Sequence, residues 1–194
     1  MVMNKKLQSQ SHEKSQDFFS FIWEIIKITV LALIIILPIR YYVAQPFLVK
    51  GASMEPAFEN GDYLIIDEIS YRFSEPRRSE AIVFRFPEDP KQFFIKRIIG
   101  LPGETVEVKN NQIFIYNEDD PNGFIIDESS YLDPEQKTEG WLKIGLGGNE
   151  YFVLGDNRIH SSDSRRWGPL EEELIIGRVL IRAWPVQKAE YYKR

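Results

Sequence analysis

Two residues carry the chemistry that this sequence offers most directly, a serine in a tight loop and a lysine on an apolar strand. Ser53 stands in Gly51-Ala52-Ser53-Met54-Glu55-Pro56, between two strand-like segments. A serine hydroxyl becomes a nucleophile only beside a base, and backbone N–H groups next to it can hold an oxyanion. Small Ala52 leaves that backbone approachable, and Gly51 and Pro56 suit a defined turn, so Ser53 also reads simply as a turn residue. Lys96 lies in Phe93-Phe94-Ile95-Lys96-Arg97-Ile98-Ile99. Strand alternation puts it on one face with Phe94 and Ile98, while Arg97 shares the other face with Ile95. Lysine is almost never fully buried without a partner, so its ammonium either snorkels to the edge or pairs with a carboxylate, or its burial is functional. In the functional case desolvation lowers the pKa, and a drop from about 10.4 to about 7–8 needs roughly 4 kcal/mol. A neutral amine could then take the serine proton. A third element, Gly155 to Gly168 (GDNRIHSSDSRRWG), is rich in Asp, Ser and Arg. It reads as a loop of capped turns and ion pairs, or as one that also presents a hydroxyl to orient the amine.

Composition removes several other chemistries. The 194 residues carry a net charge of −5 and no cysteine, with histidine only at positions 12 and 160. Nucleic-acid binding has no basic patch to rest on. Thiolate chemistry and disulfides are excluded, a multi-histidine metal site is implausible, and no metal or other cofactor is expected. Neither GxxxxGK[ST] nor GxGxxG occurs, which leaves nucleotide binding without support.

The elements that must position Ser53 and Lys96 are mostly strands. Asp62–Ile66, Ala81–Phe86 and Phe93–Ile99 are runs of β-branched and aromatic residues bounded by Gly, Pro, Asn or Asp. Thr105–Lys109 and Gln112–Tyr116 flank Asn110-Asn111, a hairpin-turn pair. Trp141–Ile144, Tyr151–Leu154 and Gly177–Trp184 supply further strands. The window 117–139 holds eight acidic residues and one lysine, and reads as a solvated insertion. The expected fold is a mainly β domain over 41–194, with a hairpin and acidic insertion at about 109–150.

Ahead of it, 18–40 is apolar on every helical face and reads as one membrane anchor that follows a tail at 1–17. Its uncharged run, Ile28–Ile39, is 12 residues, short of the roughly 20 that a span needs. Pairing of Glu24 with Lys27 three residues on and the Tyr41-Tyr42 pair at the boundary extend it. Cleavage after Ala44 would place Tyr42 where a small residue is needed, so an uncleaved anchor is expected. Lys5, Lys6 and Lys14 precede the span and Arg40 and Lys50 follow it, which leans toward a cytoplasmic N-terminus. Residues 40–52 reach at most about 45 Å, so Ser53 would be tethered close to the bilayer.

Four blocks in order resemble the type I signal peptidases: GASMEP around Ser53, GDYLIIDEISYRF from Gly61, FIKRIIGLPGE around Lys96, and the loop from Gly155. The closing GRVLIRAWP also looks like theirs. The resemblance runs from about Phe47 to Pro185. It implies a serine–lysine dyad on a β fold that removes signal peptides from exported pre-proteins after A-x-A-like sites. By motif position Ser53 is the nucleophile and Lys96 the general base. Ser161 would orient the amine, Asp163 and Arg165 would brace the site, and the Ser53 N–H would hold the oxyanion. Phe47, Val49 and Ile95 would line pockets for small residues. The implied partners are signal peptides and the lipid bilayer, with no obligate protein partner, at the plasma or inner membrane or at an internal one.

Three departures from the family pattern stand out. Gly51 replaces a serine whose hydroxyl helps hold the oxyanion in some members, Ser79-Glu80 replaces Gly-Asp, and Ala57 replaces threonine. Two rival readings follow from the residues. One is a Ser-His-Asp hydrolase using His160. The other is a non-catalytic, membrane-anchored β module.

Overall fold

The computed structural model describes residues 20–36, 44–133 and 136–193, and the chain divides into two units, 1–43 and 44–194. In the first unit a helix, α1, covers 20–36, and its large apolar side chains from Phe21 to Ile36 are exposed. Among the described residues no helix is long and apolar enough to cross a membrane. The tail at 1–17 and the remainder of the expected anchor, 18–19 and 37–40, lie outside the described residues.

The second unit is built on two antiparallel sheets. The larger has eight strands in the order β1-β2-β11-β3-β4-β9-β10, with β12 also paired to β11. These are β1 Ala44–Leu48, β2 Tyr63–Asp67, β3 Ala81–Phe86, β4 Asp89–Gly100, β9 Glu150–Leu154, β10 Leu170–Glu171, β11 Ile175–Trp184 and β12 Glu190–Tyr191. The smaller sheet runs β7-β6-β5-β8, with β5 Thr105–Lys109, β6 Gln112–Tyr116, β7 Phe124–Ile125 and β8 Leu142–Gly145.

Both faces of β3 are buried, which explains its unbroken apolar run. Ile82 and Phe84 join Ile98, Tyr151 and Val153 on one side, while Ala81 and Val83 join Leu64, Ile66, Met54 and Phe58 on the other. From Arg97 on, β4 also pairs with β9, and Ile99 enters a third core with Val106, Val108, Ile113 and Ile115 of the small sheet. Gly100 permits that approach, because any Cβ there would run into Val106, Leu146 and Phe152.

Most predicted strands appear within a few residues of their expected bounds, and β5 and β6 match them. Asn110 and Asn111 both have positive φ, 52° and 62°, as a type I′ hairpin turn requires. The 117–139 window is largely exposed or half-buried, but a few of its residues turn inward. Phe124–Ile125 adds a strand to the small sheet, while Ile126 (8% exposed) and Thr138 (2%) are buried. Its charge count concealed this, since the acidic residues lie around a few inward-facing side chains.

Candidate active site

The loop after β1 carries Ser53, and the core fixes it from beneath. Met54 and Phe58 are buried four residues apart, and Phe58 N–H donates to Met54 O at 2.9 Å. Gly51 N–H donates to Asn60 Oδ1 at 3.0 Å, and Val49 and Gly61 close the base of the loop. Half-buried Ser53 is thus held above an apolar floor. Lys96 arrives from β4, whose register against β3 sets it opposite Ile82.

The two side chains meet. Lys96 Nζ lies 2.7 Å from Ser53 Oγ and donates to Ile95 O at 2.8 Å. Lys96 is only 3% exposed, and the Phe94 ring centroid is 5.3 Å from its amine. Burial lowers its pKa to about 8, against a smaller upward pull from Asp163 and Asp156. The sequence left open whether this lysine snorkels or pairs with a carboxylate, and its closest polar partner is instead a hydroxyl.

Around this pair the 155–168 loop is held by buried ion pairs. Asp156 takes both Arg97 Nε (2.8 Å) and Nη2 (2.5 Å), and Tyr131 packs on the Arg97 guanidinium with 4.0 Å from its Cζ to the ring centroid. Asp163 binds Arg165 through Nε and Nη2, both at 2.8 Å, and accepts Gly155 N–H at 3.1 Å. Burial pushes the Asp163 carboxyl up, but the Arg165 guanidinium and the backbone donor more than offset it and hold it below the usual range. Asp163 also caps α2, Ser164–Trp167. Asp163 and Arg165 therefore stand together.

Ser161 makes no hydrogen bond to the Lys96 amine among the described residues. Its Oγ is buried close to Asp163 with no well-formed hydrogen bond, and the second acceptor at Lys96 Nζ is the Ile95 carbonyl. Gly155 has no room for a side chain, because a Cβ there would meet Ser161 Oγ and Ser53 O. His160 is exposed on the rim of the Ser53 cleft, and among the described residues no hydrogen bond joins its imidazole to Ser53. No cluster of His, Asp or Glu among the described residues could hold a metal ion.

The cleft beside Ser53 measures about 680 Å³, and Phe47, Val49 and Ile95 all line it with Leu64, Val83 and Phe93. Phe47 meets Phe93 edge-to-face at 5.6 Å, which links the exit of β1 to β4. Asn157, Arg158 and Glu128 escaped the sequence reading. Buried Arg158 bonds Glu128, Thr138 and Gly155 O, tying the acidic window to the loop. No local pattern marks a bond that spans 30 residues.

The family model described as signal peptidase, peptidase S26, covers residues 22–184. The chain belongs to this family. It is 39% identical to the signal peptidase I of Leptolyngbya laminosa, over 84% of this chain and 80% of that one. It is 38% identical to the "Probable signal peptidase I-1" of Synechocystis sp. PCC 6803, over 88% and 86%. As a signal peptidase the chain is a serine endopeptidase that removes signal peptides.

The backbone bears on the departures in different ways. Gly51 sits at φ 91°, where a serine would be strained. The Ala57 carbonyl accepts Arg182 Nη1 at 2.8 Å, a bond indifferent to the side chain. Ser79 has φ 69°, a left-handed conformation suited to the glycine of other members. Ser79→Gly should therefore raise stability by about 0.5–1 kcal/mol, strain relief exceeding the added freedom of the unfolded chain. A denaturant melt showing no gain would mean that this backbone carries no strain.

Proposed function

We propose that this signal peptidase cuts through a Ser53–Lys96 dyad, after A-x-A-like sequences, with its catalytic domain held at a membrane by the 18–40 segment. The observation that carries the reading is the 2.7 Å contact between Ser53 Oγ and a buried amine whose pKa falls to about 8. Neutral Lys96 takes the Ser53 proton as Oγ adds to the scissile carbonyl. The Ser53 N–H, which is bonded to no acceptor among the described residues, faces the resulting oxyanion. The Lys96 ammonium returns the proton to the leaving amine, and water activated by the same amine then releases the acyl group. Asp163 and Arg165 brace the loop.

Substrate binding follows from unpaired strand edges. β1 is the outermost strand of its sheet, and residues 93–96 of β4 pair only with β3. An extended peptide between them gains backbone hydrogen bonds, while alternate side chains enter the apolar cleft. Phe47, Val49 and Ile95 then select small residues. Support for the membrane reading comes from the exposed apolar residues of α1 and the short link from them to Ser53. The leading lysines favour a cytoplasmic N-terminus and an extracytoplasmic catalytic domain.

The test uses a pre-protein in detergent whose alanine immediately before the cut is replaced by phenylalanine. kcat/KM should fall by at least about 10²-fold, because the ring must displace packed side chains. Equal processing of the aromatic substrate would remove these three residues from the specificity pocket.

A further inference from the structure

We infer that Asn157 is the positioning residue that aims the oxyanion donor of Ser53, an inference that rests on the dyad reading. The donor, Ser53 N–H, belongs to the peptide unit whose carbonyl is Ala52 O. That unit is planar and trans, so its C=O and N–H point in opposite directions, and gripping one aims the other. Asn157 Nδ2 donates to Ala52 O at 3.0 Å. The next peptide is held as well, because Asn157 N–H donates to Ser53 O at 3.0 Å. One residue therefore clamps the peptide units on both sides of the nucleophile, from 105 positions away in the chain.

The clamp is itself preset. His160 N–H donates to Asn157 Oδ1 at 3.2 Å, which leaves the NH₂ end of the amide to face Ala52 O. On either side of Asn157, Asp156 is locked to Arg97, and buried Arg158 is locked to Glu128 and Gly155 O. Among the described residues the only other donor to Ala52 O is Glu55 N–H at 3.2 Å, inside the same turn, which moves with the turn and cannot aim it.

The arrangement matters more here because residue 51 is glycine and brings no hydroxyl to the oxyanion. The weight on the Ser53 N–H is correspondingly greater, and its value depends on alignment with the developing charge. Interactions realised only in the transition state appear in kcat rather than in substrate affinity.

The experiment compares Asn157→Ala and Asn157→Asp with wild type and Lys96→Ala, as full chains in detergent. Asn157→Asp keeps the acceptor for His160 N–H but turns a second carboxylate oxygen toward Ala52 O. Both Asn157 variants should lose about 10–100-fold in kcat with KM within about twofold, short of the 10²–10³ for deleting a donor outright. A signal-sequence peptide aldehyde, which adds Ser53 Oγ to form a tetrahedral hemiacetal, should weaken by the same factor. The uncleaved parent peptide should bind unchanged, and the acid limb of Asn157→Ala should stay where wild type has it. If Lys96→Ala is inactive while both Asn157 variants keep kcat within threefold, the inference fails and the dyad stands. Equal loss of affinity for aldehyde and parent peptide would also overturn it, since Asn157 would then be supporting the whole cleft. An active Lys96→Ala enzyme would sink the dyad and this inference together.

Discussion

Ser53→Ala, Lys96→Ala and Lys96→Arg are each expected to lower pre-protein cleavage by at least about 10⁴-fold, while His160→Ala keeps most of it. The serine has one described side-chain partner, Lys96 Nζ at 2.7 Å, and that amine is buried against Phe94. Removing either member deletes the same proton transfer, so the double variant Ser53→Ala/Lys96→Ala should be no worse than either single one. Arginine preserves charge and length but cannot be deprotonated in a protein, which makes Lys96→Arg the sharpest test of a base. His160 lies on the cleft rim without a bond to Ser53, so its loss should cost little. Initial rates on one pre-protein in detergent decide the matter. A dead His160→Ala beside an active Lys96→Ala would hand the mechanism to histidine.

The pH dependence should be equally large. Only the neutral amine accepts a proton, so kcat/KM should fall about tenfold per pH unit below an acid limb near pH 8. Stability follows with a definite sign. Between the folded value of about 8 and the ordinary 10.5, the unfolded chain binds the lysine proton and the folded chain does not. Stability on this account therefore rises with pH across that window, and below it the folded state carries a constant penalty of about 3 kcal/mol. Lys96→Met should be more stable than wild type at pH 7 by up to this amount, less the lost Ser53 bond, and the difference should close above pH 10. Denaturant melts at several pH values, set beside the rate profile, measure both. An acid limb at pH 5 or lower, together with a Lys96→Met protein less stable than wild type, would make Lys96 a charged structural residue.

How much of this was readable depended on the range of the interaction. The hairpin of β5 and β6 was legible to the residue, because strand alternation and two asparagines at positive φ are local properties. The domain's mainly β character was legible for the same reason. So were Ser53 and Lys96 as candidates, since residue type and neighbourhood in the chain single them out.

Tertiary structure alone decided that they meet. Forty-three positions separate them, and their contact needs β4 in register with β3 and the Ser53 loop seated on Met54 and Phe58. The same holds for the inward turn of Ile126 and Thr138 from an acidic window, and for Glu128 as the counter-charge of a fully buried Arg158. The role of Asn157 was the least legible of all. Its partners are backbone carbonyls, which every residue possesses, so no side chain in the sequence advertises the bond. Periodicity reports which face of an element is apolar. It carries no record of which remote carbonyl an amide will reach once the sheets have closed.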